Sequence, residues 1–131
     1  MRISVVVTWS LRLVAAAIML QTLYFKFTGQ EESIRLFTEL GMEPWGRIAT
    51  GVFELIASTL ILYPRTTGLG AALGAGLMAG AIFFHLTILG IRFDGDYILF
   101  VYAVIVFVCC AILLFLYRHQ ILGVIRKRRL T

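Results

Sequence analysis

Four apolar stretches, each close to the length needed to cross a lipid bilayer, govern what this chain can fold into: Val5–Phe27, about Ile48–Tyr63, Gly68–Ile91 and Tyr97–Tyr117. A spanning helix needs about 20 mostly apolar residues, because a rise of about 1.5 Å per residue has to cover a hydrocarbon core of about 30 Å. In lipid every backbone N–H and C=O must find its partner inside the segment, which a helix provides. The second stretch is the shortest; Gly46 and Arg47 extend it, and tilt or local thinning covers the remainder. With 60% hydrophobic and 15% charged residues in 131, the composition excludes a soluble globular domain. The fold class is therefore all-α: an integral membrane four-helix bundle, with the lipid bilayer as its first partner.

The connections are short and each carries a signal. Within Gln30–Leu40, Ile34, Phe37 and Leu40 recur at spacing three, while Glu31, Arg35 and Glu39 share another face. That pattern predicts a short amphipathic helix lying at the membrane surface, with Trp45 as an interfacial anchor. Pro44 and Gly46 end it; Pro64 and Arg65 end the second span. A cleavable signal peptide would also open with a basic residue such as Arg2, but Arg12 falls inside the apolar run and no clear small-x-small cleavage site follows that run.

Charge sets the expected topology. If both termini and the Pro64–Arg65 turn share one side, that side holds Arg2, Arg12, Arg65, Arg118, Arg126, Lys127, Arg128 and Arg129 without an acidic residue. The other side carries Lys26, Arg35, Arg47 and Arg92 among Glu31, Glu32, Glu39, Glu43, Asp94 and Asp96. The positive-inside bias places both termini in the cytoplasm. The tail RKRRL (126–130) then lies near anionic lipid, and the formal net charge of +5 is a topology signal with no nucleic-acid partner implied.

The third span opens with GLGAALGAGLMAGA, in which Gly68, Ala72, Gly76 and Gly80 make a small-xxx-small stripe. Such a stripe lets helices approach closely in lipid. It is expected to be the inner seam of the bundle, a homo-oligomer interface being the alternative. Cys109 and Cys110 are adjacent within an apolar run, at neither redox nor metal spacing, and read as small buried residues.

Ionisable residues at membrane depth are costly and each needs a partner or a job. Glu54 sits mid-way along the second span, Lys26 near the outer end of the first, and His85 at a comparable depth in the third. Helical spacing puts Arg12, Ala15, Met19, Thr22 and Lys26 on one face, Gly51, Glu54 and Ser58 on another, and Ala71, Gly74, Met78, Ala81 and His85 on a third. The candidate site is Glu54, Lys26 and His85, with Arg12, Gln21, Thr22 and Ser58 as further polar members. Two readings stay open: an ion pair and hydrogen bond that only lock helix register, or a polar pocket. In the pocket reading, lysine or histidine donates to a carbonyl oxygen of a quinone-like ring and the carboxylate manages a proton. The same groups suit a proton-coupled small-solute permease. No second His or Cys stands at ligand spacing, so a metal site is not expected.

These residues also resemble a known family. Arg12 early in the first span, Lys26 at its end, ESIRLFTELGMEPWGR (32–47), the GxxEL motif at Gly51–Leu55 and AIFFHLTILGI (81–91) are similar to the DoxX-like family of small bacterial membrane proteins, over about Leu11–Leu116. Many relatives have Gly shortly before the Lys, where this chain has Tyr24 and Phe25. The resemblance implies four helices in the bacterial inner membrane. Named members include the small subunit of a thiosulfate:quinone oxidoreductase, which implies an accessory role beside a membrane redox partner, with quinone as the possible ligand and no intrinsic cofactor. A structural or assembly protein is the alternative, and a permease the third.

Overall fold

The apolar runs become helices because nothing within them breaks the backbone ladder, and prolines fall only in the connections. The computed structural model describes residues 2–90 and 97–123, with side chains from Val5 onward. Helix α1 spans Arg2–Phe27, α2 Glu31–Glu39, α3 Trp45–Leu62, α4 Thr67–Phe84 and α5 Ile98–Leu116. Four of them are long and apolar enough to cross a membrane, α4 being counted together with the turn that follows it. The chain is an all-α, multi-pass membrane bundle; among the described residues there is no strand.

Two details depart from the expected spans. The third was expected to run as one α-helix to Ile91, but from His85 to Leu89 the backbone widens into a π-turn, a feature that often accompanies a functional site. Beyond Tyr117 the chain turns and is helical again through residues 118–123. Arg92, Asp94 and Asp96, and the RKRRL run, lie outside the described residues.

The four long helices pack as a ring, α1 against α3, α3 against α4, α4 against α5 and α5 back against α1. At the end that carries the Pro64 turn the ring is tight. Ala15, Met19, Ala57, Ile61, Ala71, Val106, Cys110 and Leu113 form a dry core there. Small residues on α4 allow it: a Cβ on Gly70 would stand 2.6 Å from the Ile61 backbone nitrogen, and one on Gly74 2.7 Å from Cys110 Sγ. Gly70, Ala71 and Gly74, with Met78 above them, are therefore the inner seam of α4.

The stripe Gly68, Ala72, Gly76 and Gly80 is not that seam. Gly68 is buried against the Tyr117 carbonyl and Gln120, but Ala72 is only half-buried, and nothing lies within 4 Å of a Cβ built on Gly76 or Gly80. An α-helix turns about 100° per residue, so each step of four overshoots by about 40°. Three steps carry the stripe about a third of the way around the helix.

Helix ends inside lipid leave unsatisfied carbonyls, and arginines on the neighbouring helix satisfy them in both directions. Arg12 of α1, 2% exposed, donates from Nε to the Ile61 carbonyl at 2.8 Å and from Nη2 to the Leu62 carbonyl at 2.6 Å, at the end of α3. Its guanidinium also lies 3.7 Å over the Trp9 ring. Arg47, in the first turn of α3, donates to the Lys26 carbonyl at the end of α1 and pairs with Glu43 at 2.9 Å. Each cation sits at the negative end of its partner's dipole. At the same turn as Arg12's acceptors, Thr67 donates to the Ile61 carbonyl at 3.0 Å, and Gln120 bridges the Gly68 N–H and the Pro64 carbonyl at 2.7 Å each.

Helix α2 lies across the other end. Gly29 and Gly41 flank it with φ of 66° and 72°. This left-handed conformation reverses the chain sharply at both ends, and residues with side chains disfavour it. The expected stripe of Ile34, Phe37 and Leu40 is rotated in the structure. Ile34 is exposed and Phe37 buried, and Ser33, Leu36 and Phe37 of α2, with Leu40 at its C-terminal end, turn toward the bundle as a cover. Trp45 is 63% exposed at the start of α3, where an interfacial anchor belongs.

Candidate functional site

Beneath α2 the ring widens, and the side chains facing inward there leave a gap between the helices. The result is a cavity of about 630 Å³, within the range of small-molecule sites. Its walls come from all four long helices and from α2, with Ile18 and Met19 of α1, Leu77 and Met78 of α4 and Val106 of α5 among the apolar ones. Three polar groups expected to cluster all line it: Lys26, Glu54 and His85.

Glu54 lies about 14 Å along α3 from Trp45 and is 1% exposed. Its Oε1 faces Lys26 Nζ at 2.7 Å. Its Oε2 accepts from the Thr22 hydroxyl at 2.8 Å, with the Met19 carbonyl at 2.9 Å as the alternative acceptor for that one proton. Lys26 keeps a side-chain exposure of 16% against 2% for Glu54. The carboxylate is thus locked while the ammonium still faces open space. An ammonium has three protons, so Lys26 retains donors after pairing with Glu54.

His85 opens the π-turn and is 4% exposed. Its Nδ1 stands 3.0 Å from the Gly90 carbonyl, and Phe100 packs edge-on to the ring with centroids 5.7 Å apart. A carbonyl only accepts, so Nδ1 carries the proton and donates. In the neutral imidazole Nε2 is then an acceptor. Among the described residues Nε2 has no partner.

Of the remaining candidates, Thr22 lines the cavity and is bound to Glu54, and the others fall elsewhere. Arg12 shares a face with Lys26 but lies fourteen residues away, about 21 Å along α1, and serves the end of α3. Gln21 is exposed on the outside of α1. Ser58 is buried one turn from Glu54 but outside the cavity wall, and its Oγ has no partner among the described residues. No group of three or more potential metal ligands occurs among the described residues. Sequence reasoning missed Thr50, Tyr102 and the α2 residues Glu31, Glu32 and Ser33, all on the cavity wall. Tyr102 carries the only hydroxyl in α5, which was the available signal.

The family follows from these landmarks together with the match along the chain: the profile of the DoxX-like family covers residues 10–113. The chain belongs to the DoxX-like family. In this DoxX-like chain the matched region contains Arg12, Lys26, Glu54 and His85, and ends at Leu113, short of the last turn of α5. Searches of curated proteins and of solved structures gave no match.

Proposed function

We propose that this DoxX-like protein is a membrane subunit that binds a quinone-type ring in the cavity beneath α2 and serves a redox partner in the same membrane. The observation that carries the reading is the pairing of one apolar cavity with an unshared acceptor, His85 Nε2, and an incompletely used donor, Lys26 Nζ. A planar ring with oxygen at opposite ends asks for that combination. Its reduced, hydroxylated form would donate to neutral His85, and its oxidised form would accept from Lys26 or from protonated His85. Glu54 holds Lys26 in place and supplies a carboxylate for proton exchange. The chain has no cofactor motif of its own, so any electron would arrive from or leave to the partner.

The test is binding of ubiquinone and menaquinone analogues to the purified protein in nanodiscs. Saturable binding weakened about tenfold or more by His85→Gln and Glu54→Gln supports the reading; binding indifferent to both changes refutes it. A second reading rests on the ion pair of Glu54 with Lys26 and its hydrogen bond from Thr22, which suit a register lock in a structural or assembly protein. It is favoured if those variants lower thermal stability and leave cellular function intact.

The charge bias supports an inner-membrane placement with the Pro64 turn and both termini in the cytoplasm. Reporter fusions at the Pro64 turn and within α2 test it, and activity of a periplasm-dependent reporter at Pro64 would reverse the orientation.

A further inference from the structure

The cavity continues to the lipid-facing side of the bundle. Its wall along α4 includes Gly76 and Gly80, where nothing lies within 4 Å of an added Cβ, and Gly76 is exposed. Their direction follows from helix geometry. Gly70 faces α3 at Ile61 and Ala57, whereas Gly68 and Gly74 face α5 at Tyr117 and Cys110. At about 100° per residue, Gly80 and Gly76 stand about 80° and 120° around from Gly70, on the flank away from α5. They mark the outer edge of the α3–α4 contact.

That contact is closed below and open above. At Gly70 the two backbones touch. Seven residues along α3 from Ala57, and so on the same face, Thr50 lines the cavity. Thr50 on α3 and the two glycines on α4 line the same cavity as His85, which is 4% exposed with Nε2 free among the described residues. The aqueous end is covered by Leu36 and Phe37 of α2 and by Leu40 at its C-terminal end.

We propose that the ligand is a lipid-borne molecule with a polar ring and a long apolar tail, admitted sideways from the leaflet on the α2 side through the slot between α3 and α4. Its head lies at His85 and the Lys26–Glu54 pair, and its tail rests along Gly76 and Gly80 and stays in lipid. A tail admitted this way never crosses water, and glycine leaves the groove that any larger residue would fill. The proposal rests on the quinone-type reading above and narrows it to tailed molecules.

The experiment compares a tail-less probe, tetramethylbenzoquinol, with a decyl-tailed benzoquinol, both titrated against the protein in nanodiscs. The variants are Gly76→Leu/Gly80→Leu on one lip, Thr50→Trp on the other, and Gly123→Leu as a control glycine with equally open surroundings far from the cavity. The expected result is at least a tenfold rise in Kd for the tailed probe in either lip variant, a change under twofold for the tail-less probe, and no effect of Gly123→Leu. Unchanged affinity for the tailed probe in both lip variants overturns the slot while leaving the ring site standing. Equal losses for both probes also overturn it, since the glycines would then border the head. Failure of both probes to bind the wild type refutes the quinone-type reading itself. Because the two lips are on different helices, misfolding of one variant leaves the other to decide.

Discussion

Replacing Lys26 with Met tests whether the intramembrane ion pair is energetically coupled. At 2.7 Å, unit charges in an effective dielectric of about 20 attract by about 6 kcal/mol before desolvation, and burial of each ion offsets several kcal/mol of that. The pair as a whole therefore contributes little, whereas stranding one member is severe. Lys26→Met leaves Glu54, 1% exposed, with only the Thr22 hydroxyl and should cost about 3–5 kcal/mol. Glu54→Gln should cost less, about 1–2 kcal/mol, because Lys26 is near the end of α1 and its stem can carry the ammonium toward the headgroups. In Lys26→Met/Glu54→Gln the amide keeps its bond to Thr22 and no charge is buried, so stability should return to within about 1 kcal/mol of wild type. The coupling energy is then about 3–7 kcal/mol. The assay is equilibrium unfolding in mixed micelles, followed by tryptophan fluorescence. Single-variant losses that add in the double variant to within about 0.5 kcal/mol would show that the pair is not coupled and that the argument is wrong.

Two further outcomes are expected. Gly70→Ala should destabilise by about 1–3 kcal/mol through overpacking, since the added Cβ meets α3 backbone atoms at 2.6 and 2.8 Å that cannot rotate away; Gly76→Ala should be near neutral, and equal effects in the same unfolding assay would contradict the assignment of the seam. Arg12→Lys should lose about 1–3 kcal/mol, because an ammonium cannot span the Ile61 and Leu62 carbonyls as the guanidinium fork does. Retention of wild-type thermal stability in detergent would remove Arg12 from its capping role.

Fold class was legible in the sequence because lipid imposes a severe filter: only runs long and apolar enough can span, and polar residues within them stand out. The family motif fell on the same landmarks. Lys26 with Glu54 was also legible, since a carboxylate at mid-span leaves few ways to be satisfied and Lys26 was the cation at matching depth. His85 was legible as a member of the site. Its hydrogen bond to Gly90 was not, because the π-turn that reaches it depends on how the end of α4 meets its neighbours.

The pattern of residues by itself determined four spans, a short amphipathic helix between the first two, and which ionisable groups must lie at membrane depth. Each follows from local composition and a helical turn of about 100° per residue. Only the tertiary structure decided which small residues of α4 form the seam and which stay open, because rotation about the helix axis is set by neighbours. It likewise gave Arg12 its partners, the Ile61 and Leu62 carbonyls at the end of α3, which no pattern along α1 names. The cavity was beyond the sequence for the same reason: empty space belongs to the arrangement of helices around it, and here α3 and α4 touch at Gly70 and leave room at Gly76 and Gly80.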